Sequence, residues 1–83
     1  MKVSQAVMKT DIDGEIVLMN VDSGAFFALK GTAAAIWVRM EAGVARESMV
    51  SSLKSEYDLD EALAQRHVDD LLEELRKVGL IEV

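Results

Sequence analysis

Residues 20–37, NVDSGAFFALKGTAAAIW, contain the point at which the predicted structure changes from strands to helices. DSG at 22–24 is typical of a turn, and AFFALK at 25–30 has the composition of a short strand. Thr32 is the predicted N-cap of the helix that follows, which carries the only tryptophan, Trp37. A sheet that precedes its helices predicts an α+β fold.

Two further strands are predicted before this stretch. VSQAVMKT at 3–10 alternates in polarity, DIDG at 11–14 is typical of a turn, and EIVLMNV at 15–21 is rich in strand-forming residues. Together with the strand at 25–30, they predict a three-stranded antiparallel sheet joined by tight turns.

The predicted sheet is apolar on both faces. Side chains alternate between the two faces of a strand, which puts Phe27 and Leu29 on the face opposite to Phe26. Each apolar face needs a cover, and three helices in so short a chain are expected to leave one face partly open.

Three amphipathic helices are predicted to follow the sheet. The first ends at Gly43, and the second, from about 45 to 56, lacks a capping residue and ends at Tyr57, which is expected to pack against the core. The third begins near Asp58 or Asp60 and ends at Gly79. Its apolar stripe consists of Ala64, Val68, Leu71, Leu75 and Val78, with Leu72 beside it. Residues 1–83 are therefore expected to form one domain.

The composition excludes several classes of protein. The chain has no cysteine, which excludes a disulfide framework and a zinc site of the Cys type and suits a reducing compartment. No apolar run approaches the roughly 20 residues that span a bilayer, and the first residues do not resemble a signal peptide. The net charge of −6 offers no basic footprint for nucleic acid. We expect a cytoplasmic protein that binds neither nucleic acid nor membrane.

Catalytic, metal and cofactor sites are not predicted. The one histidine, His67, is expected to be solvated on a helix flank, with no nucleophile beside it. The acidic run of the third helix is interpreted as its solvated face, and the isolated glycines do not form a phosphate loop. Binding remains, because an exposed sheet edge can accept a further strand from another chain.

A string of motifs resembles the PqqD-like family, the leader-peptide recognition elements of ribosomally made, modified peptides. They are DGEIVLMNVDSGAFFALKGTAAAIW at 13–37, Gly-x-x-x-Glu at 43–47, LKSEYDLD at 53–60 and HVDDLLEELRKVGLI at 67–81. Within the family, the likeness is greatest to the discrete leader-binding protein of lasso-peptide clusters. The resemblance implies a winged-helix-like domain with three strands before three helices.

The resemblance also implies a function. A non-catalytic protein would bind the leader of a precursor peptide and present it to a cysteine-protease-like leader peptidase, with a cyclase as a further candidate partner. In the family the leader pairs antiparallel with the third strand, in the cleft beside the third helix.

Carried over to this sequence, the resemblance implies two sets of peptide-binding residues. The strand edge consists of Ala25, Phe26, Phe27, Ala28 and Leu29, and the helix wall consists of Gln65, Val68, Asp69, Leu72 and Arg76. The sequence leaves open which strand residues direct their N–H groups to the leader. It also leaves open which flank of the third helix lines the cleft.

Two other functions remain alternatives at this point. Within the family, the chain could be a PqqD-type peptide chaperone for a radical SAM enzyme. From a different class, it could be a winged-helix transcription factor, although the basic residues Arg66, Arg76 and Lys77 of the third helix are outnumbered by acidic ones.

Overall fold

The computed structural model describes residues 2–82. Its elements are β1 (Lys2–Val3), β2 (Val7–Ile12), β3 (Glu15–Asn20), β4 (Phe26–Leu29), α1 (Thr32–Glu41), α2 (Arg46–Tyr57), α3 (Glu61–Lys77) and β5 (Ile81–Glu82). The predicted order of three antiparallel strands followed by three helices is confirmed. In addition, β1 and β5 form a second, two-stranded antiparallel sheet.

The main sheet has the order β2-β3-β4, which leaves β2 and β4 as its two edges. β2 and β3 are joined by a two-residue turn of Asp13 and Gly14, both with positive φ. This is the geometry that Asp-Gly favours in a hairpin. The turn is therefore tighter than the predicted one at 11–14, and β2 begins at Val7 rather than at residue 3.

The core lies on one face of this sheet, between it and the helices. Its buried side chains are Ile16, Leu18 and Leu29 from the sheet, Ile36, Trp37 and Met40 from α1, Met49, Val50 and Leu53 from α2, Ala64, Val68, Leu71 and Leu75 from α3, and Leu80 and Ile81 after it. The opposite face carries Met8, Ile12, Met19 and Phe26, all of which are exposed. One apolar face of the sheet is thus left open by the helices.

The helix ends follow local signals with two exceptions. Asp60 caps α3 by accepting a hydrogen bond from the Leu63 N–H (2.8 Å), as predicted. The prediction that Thr32 caps α1 is wrong, because Gly31 occupies the N-cap position and the Thr32 hydroxyl bonds elsewhere. Tyr57 was also expected to pack against the core, but it is 40% exposed at the end of α2.

None of the helices within residues 2–82 has the length and apolar character that a bilayer span requires.

Asn20 is a buried polar residue that connects the β3–β4 turn with the end of α3. Its Oδ1 accepts hydrogen bonds from the N–H groups of Asp22 (2.9 Å) and Ser23 (3.1 Å). Its Nδ2 donates to the carbonyl of Gly79 (2.9 Å). Two N–H groups of the turn and one carbonyl that is distant in sequence thus depend on one side chain.

We expect Asn20→Ala to lower the free energy of unfolding by about 2 to 3 kcal/mol, because it removes all three hydrogen bonds of a buried side chain. Ser23→Ala is the matched control from the same turn, where the lost hydroxyl accepts only one exposed bond, from the Ala25 N–H. Chemical denaturation of the two variants measures the difference. Equal stabilities would contradict a structural role for the Asn20 amide.

Candidate functional site

The two edges of the main sheet differ in charge. Because Ile12 and Glu15 form the hydrogen-bonded pair next to the turn, the N–H groups of Lys9 and Asp11 point away from β3, toward the outer edge of β2. Lys9 Nζ lies 3.1 Å from Glu41 and 4.0 Å from Asp11, and its hydrogen bond to Glu41 raises the Lys9 pKa. Charged side chains of this kind protect an edge against pairing with another chain. β4, with the sequence FFAL, has no charged residue and is the edge open to a further strand.

The direction of the β4 backbone follows from its pairing with β3. The Asn20 N–H donates to the Ala25 carbonyl (2.8 Å), which identifies these two as a hydrogen-bonded pair. Hydrogen-bonded pairs alternate in an antiparallel ladder, so Phe27, the partner of Leu18, also bonds to β3. The N–H and C=O groups of Phe26 and Ala28 therefore point away from β3, toward the free edge.

Two contacts of residues that flank β4 show that α3 runs in the opposite direction to this strand. Near the end of β4, Thr32 Oγ1 lies 3.0 Å from His67 Nδ1. Before the start of β4, Asn20 holds the Gly79 carbonyl beyond the last turn of α3. The flank of α3 on this side carries His67, Asp70 and Glu74, spaced three or four residues apart. We call it the His67 flank.

The opposite flank of α3 faces α2. Arg46 forms two hydrogen bonds with the carboxylate of Asp69, at 2.8 and 2.7 Å. The Arg46 guanidinium thereby lowers the pKa of Asp69. Gln65 lines a shallow depression together with Arg46, Glu47 and other residues of α2.

The residues predicted from the sequence are therefore not all brought together. Ala25, Phe26, Phe27, Ala28 and Leu29 form one continuous segment at the open edge, with Leu29 buried beneath it. In the predicted helix wall, Gln65 and Asp69 lie on the α2 side. Val68 is fully buried, and Leu72 is half-buried against the core. Arg76 pairs with Glu73 at 2.7 Å. As peptide-binding residues, these ten stay a prediction.

The one histidine is not the solvated residue that the sequence predicts. His67 is half-buried, and its Nδ1 is bonded to Thr32. Although a hydroxyl and an imidazole are in contact, no carboxylate of residues 2–82 bonds to the other ring nitrogen to orient it as a base. This pair ties the start of α1 to α3. Within the same residues, no group of three or more histidine or acidic side chains could hold a metal ion.

Neither the Asn20–Gly79 contact nor the Thr32–His67 contact is predicted from the sequence. Asn20 precedes Asp22, Ser23 and Gly24, a sequence in which an asparagine that bonds the turn backbone is common. That signal could have identified its role in the turn. Nothing local indicates that its amide reaches Gly79, or that His67 meets Thr32.

Comparison with known proteins extends over nearly the whole chain. The family model described as coenzyme PQQ synthesis protein D (PqqD) matches residues 15–81, while no curated protein matches. A solved structure described as TbiB1 in complex with the TbiA(beta) leader peptide is 34% identical, with a TM-score of 0.93 over 99% of this chain and 95% of that one. Another, described as lasso peptide synthetase B1 complexed with the leader peptide, is 26% identical, with a TM-score of 0.92 over 99% and 96%. On its sequence and its fold, the chain belongs to the PqqD family.

Proposed function

We propose that this chain binds the leader of a ribosomal precursor peptide in lasso peptide biosynthesis. The observation that carries the proposal is the open, uncharged edge of β4 with α3 beside it. The two similar structures, both described as complexes with a leader peptide, support this assignment.

The leader binds as a fourth strand of the main sheet. Phe26 and Ala28 supply the outward N–H and C=O groups with which its backbone pairs. Its inward side chains then lie between Phe27 and the His67 flank of α3. Main-chain bonds supply affinity, and the side-chain contacts supply selectivity.

The chain itself carries out no chemical step on the peptide. Its role is to hold the leader, so that the remainder of the precursor stays at a high local concentration near a partner enzyme. The partner we propose is a cysteine-protease-like leader peptidase, with a cyclase acting after it. The acidic surface of α3, with Asp70, Glu73 and Glu74 exposed, does not favour DNA binding.

Fluorescence anisotropy tests the proposal directly. The probe is a labelled synthetic leader peptide of the cognate precursor, and a scrambled peptide is the control. We expect saturable binding with a free energy of roughly −8 to −12 kcal/mol, which corresponds to micromolar to nanomolar Kd. The absence of saturable binding at tens of micromolar would overturn the proposal.

A thiol-protection experiment tests which flank of α3 lines the cleft. The chain has no cysteine, so Glu74→Cys on the His67 flank and Arg76→Cys on the α2 side each introduce a unique thiol. We expect saturating leader to slow maleimide labelling at position 74, because the peptide covers it, and to leave labelling at position 76 unchanged. The reverse result would support the helix wall predicted from the sequence.

A further inference from the structure

An apolar row crosses the outer face of the main sheet and ends at the proposed leader-binding edge. Met8 on β2 pairs with Met19 on β3, and Met19 pairs with Phe26 on β4. These three side chains are 60%, 42% and 67% exposed, respectively. We call Met8, Met19 and Phe26 the outer row.

We propose that the β4 edge of this outer face is a second contact surface for the same leader strand, with Phe26 as its specificity-determining residue. The inference rests on the proposed function, because it takes the leader as the strand added to β4. It extends recognition from the cleft beside α3 to the face of the sheet that the helices leave open.

The register of β4 determines where the leader side chains lie. The outward N–H and C=O groups belong to Phe26 and Ala28, so each of these residues is directly opposite one leader residue. Residues directly opposite each other have their side chains on the same face. The leader side chain opposite Phe26 therefore becomes the fourth member of the outer row, while its neighbours in the leader sequence point to the helix side.

The chemistry of the row selects the leader residue. Its three members are apolar, and Phe26 is exposed to water until another side chain covers it. A large apolar leader residue at this position removes apolar surface from water on both partners, whereas a charged one loses part of its hydration. The leader is thus expected to carry a large apolar side chain at the position opposite Phe26.

The test compares Phe26→Ser with Met8→Ser. Both residues belong to the outer row and are similarly exposed, but Met8 lies two strands away from the β4 edge. With the labelled synthetic leader described above, we expect Phe26→Ser to raise Kd by about fivefold or more and Met8→Ser to change it by less than about twofold. Phe26→Leu, which keeps an apolar side chain, is expected to retain most of the affinity.

Serine substitutions along the leader complete the experiment. Serine at the leader residue opposite Phe26 should reduce affinity less for the Phe26→Ser variant than for the parent protein. Serine at either neighbouring leader position should reduce affinity equally for both proteins. Parent-like binding by Phe26→Ser, or coupling at the neighbours instead, would overturn this inference and leave strand addition intact. Failure of the parent chain to bind the leader would instead overturn the proposed function.

Discussion

Ala28→Pro is expected to give a folded protein whose Kd for the leader is raised by about 100-fold or more. Proline has no N–H, and the Ala28 N–H points to the free edge, so the change removes a bond to the leader and puts a ring in its path. Folding is expected to survive, because proline is tolerated in an edge strand where its N–H would face outward. Circular dichroism melts paired with leader titrations measure both properties.

Phe27→Pro is expected to have the opposite result. The Phe27 N–H belongs to the ladder with Leu18, so proline there removes an internal hydrogen bond and destabilises the sheet. Ala28→Val, which keeps the N–H, controls for added bulk, and Phe27→Ala controls for the lost ring. If Ala28→Pro binds like the parent while Phe27→Pro stays as stable as Phe27→Ala, the leader does not pair with this edge in the derived register.

Trp37→Ala is expected to lower the free energy of unfolding by about 3 to 5 kcal/mol through the cavity that it leaves. Trp37 is fully buried on α1 and is the largest side chain of the core. A loss of this size is a large fraction of the total stability of a small domain. Chemical denaturation followed by circular dichroism measures it.

Two further substitutions locate the source of this loss. Among the described residues, the Trp37 Nε1 has no hydrogen-bond partner, so Trp37→Phe gives up part of the ring without breaking a bond and should cost clearly less than alanine. Val38→Ala, at the next position but half exposed, should change stability by no more than about 0.5 kcal/mol. Equal losses for Trp37→Phe and Trp37→Ala would contradict a cost that increases with the volume removed.

The sequence by itself determined the type and order of the main elements. Alternation placed Phe27 and Leu29 on the face of β4 opposite to Phe26, and the structure buries Leu29 and exposes Phe26. The three-to-four-residue spacing predicted the four buried residues of α3, Gly79 marked its end, and its start was narrowed to Asp58 or Asp60. These features depend on neighbours in the chain, and local periodicity is therefore sufficient to identify them.

The direction of the β4 N–H groups and the choice of the α3 flank beside β4 depend on the tertiary structure. The outward parity of β4 depends on its register with β3, which is fixed by the Asn20–Ala25 pair and would reverse after a slip of one residue. The flank of α3 beside β4 depends on two contacts between distant residues, Thr32 with His67 and Asn20 with Gly79. A periodic pattern shows that a side chain is apolar or polar, but it does not specify the element that the side chain meets. Only the packing of α3 against α1 and α2 does so, because the partners are brought together by the whole fold.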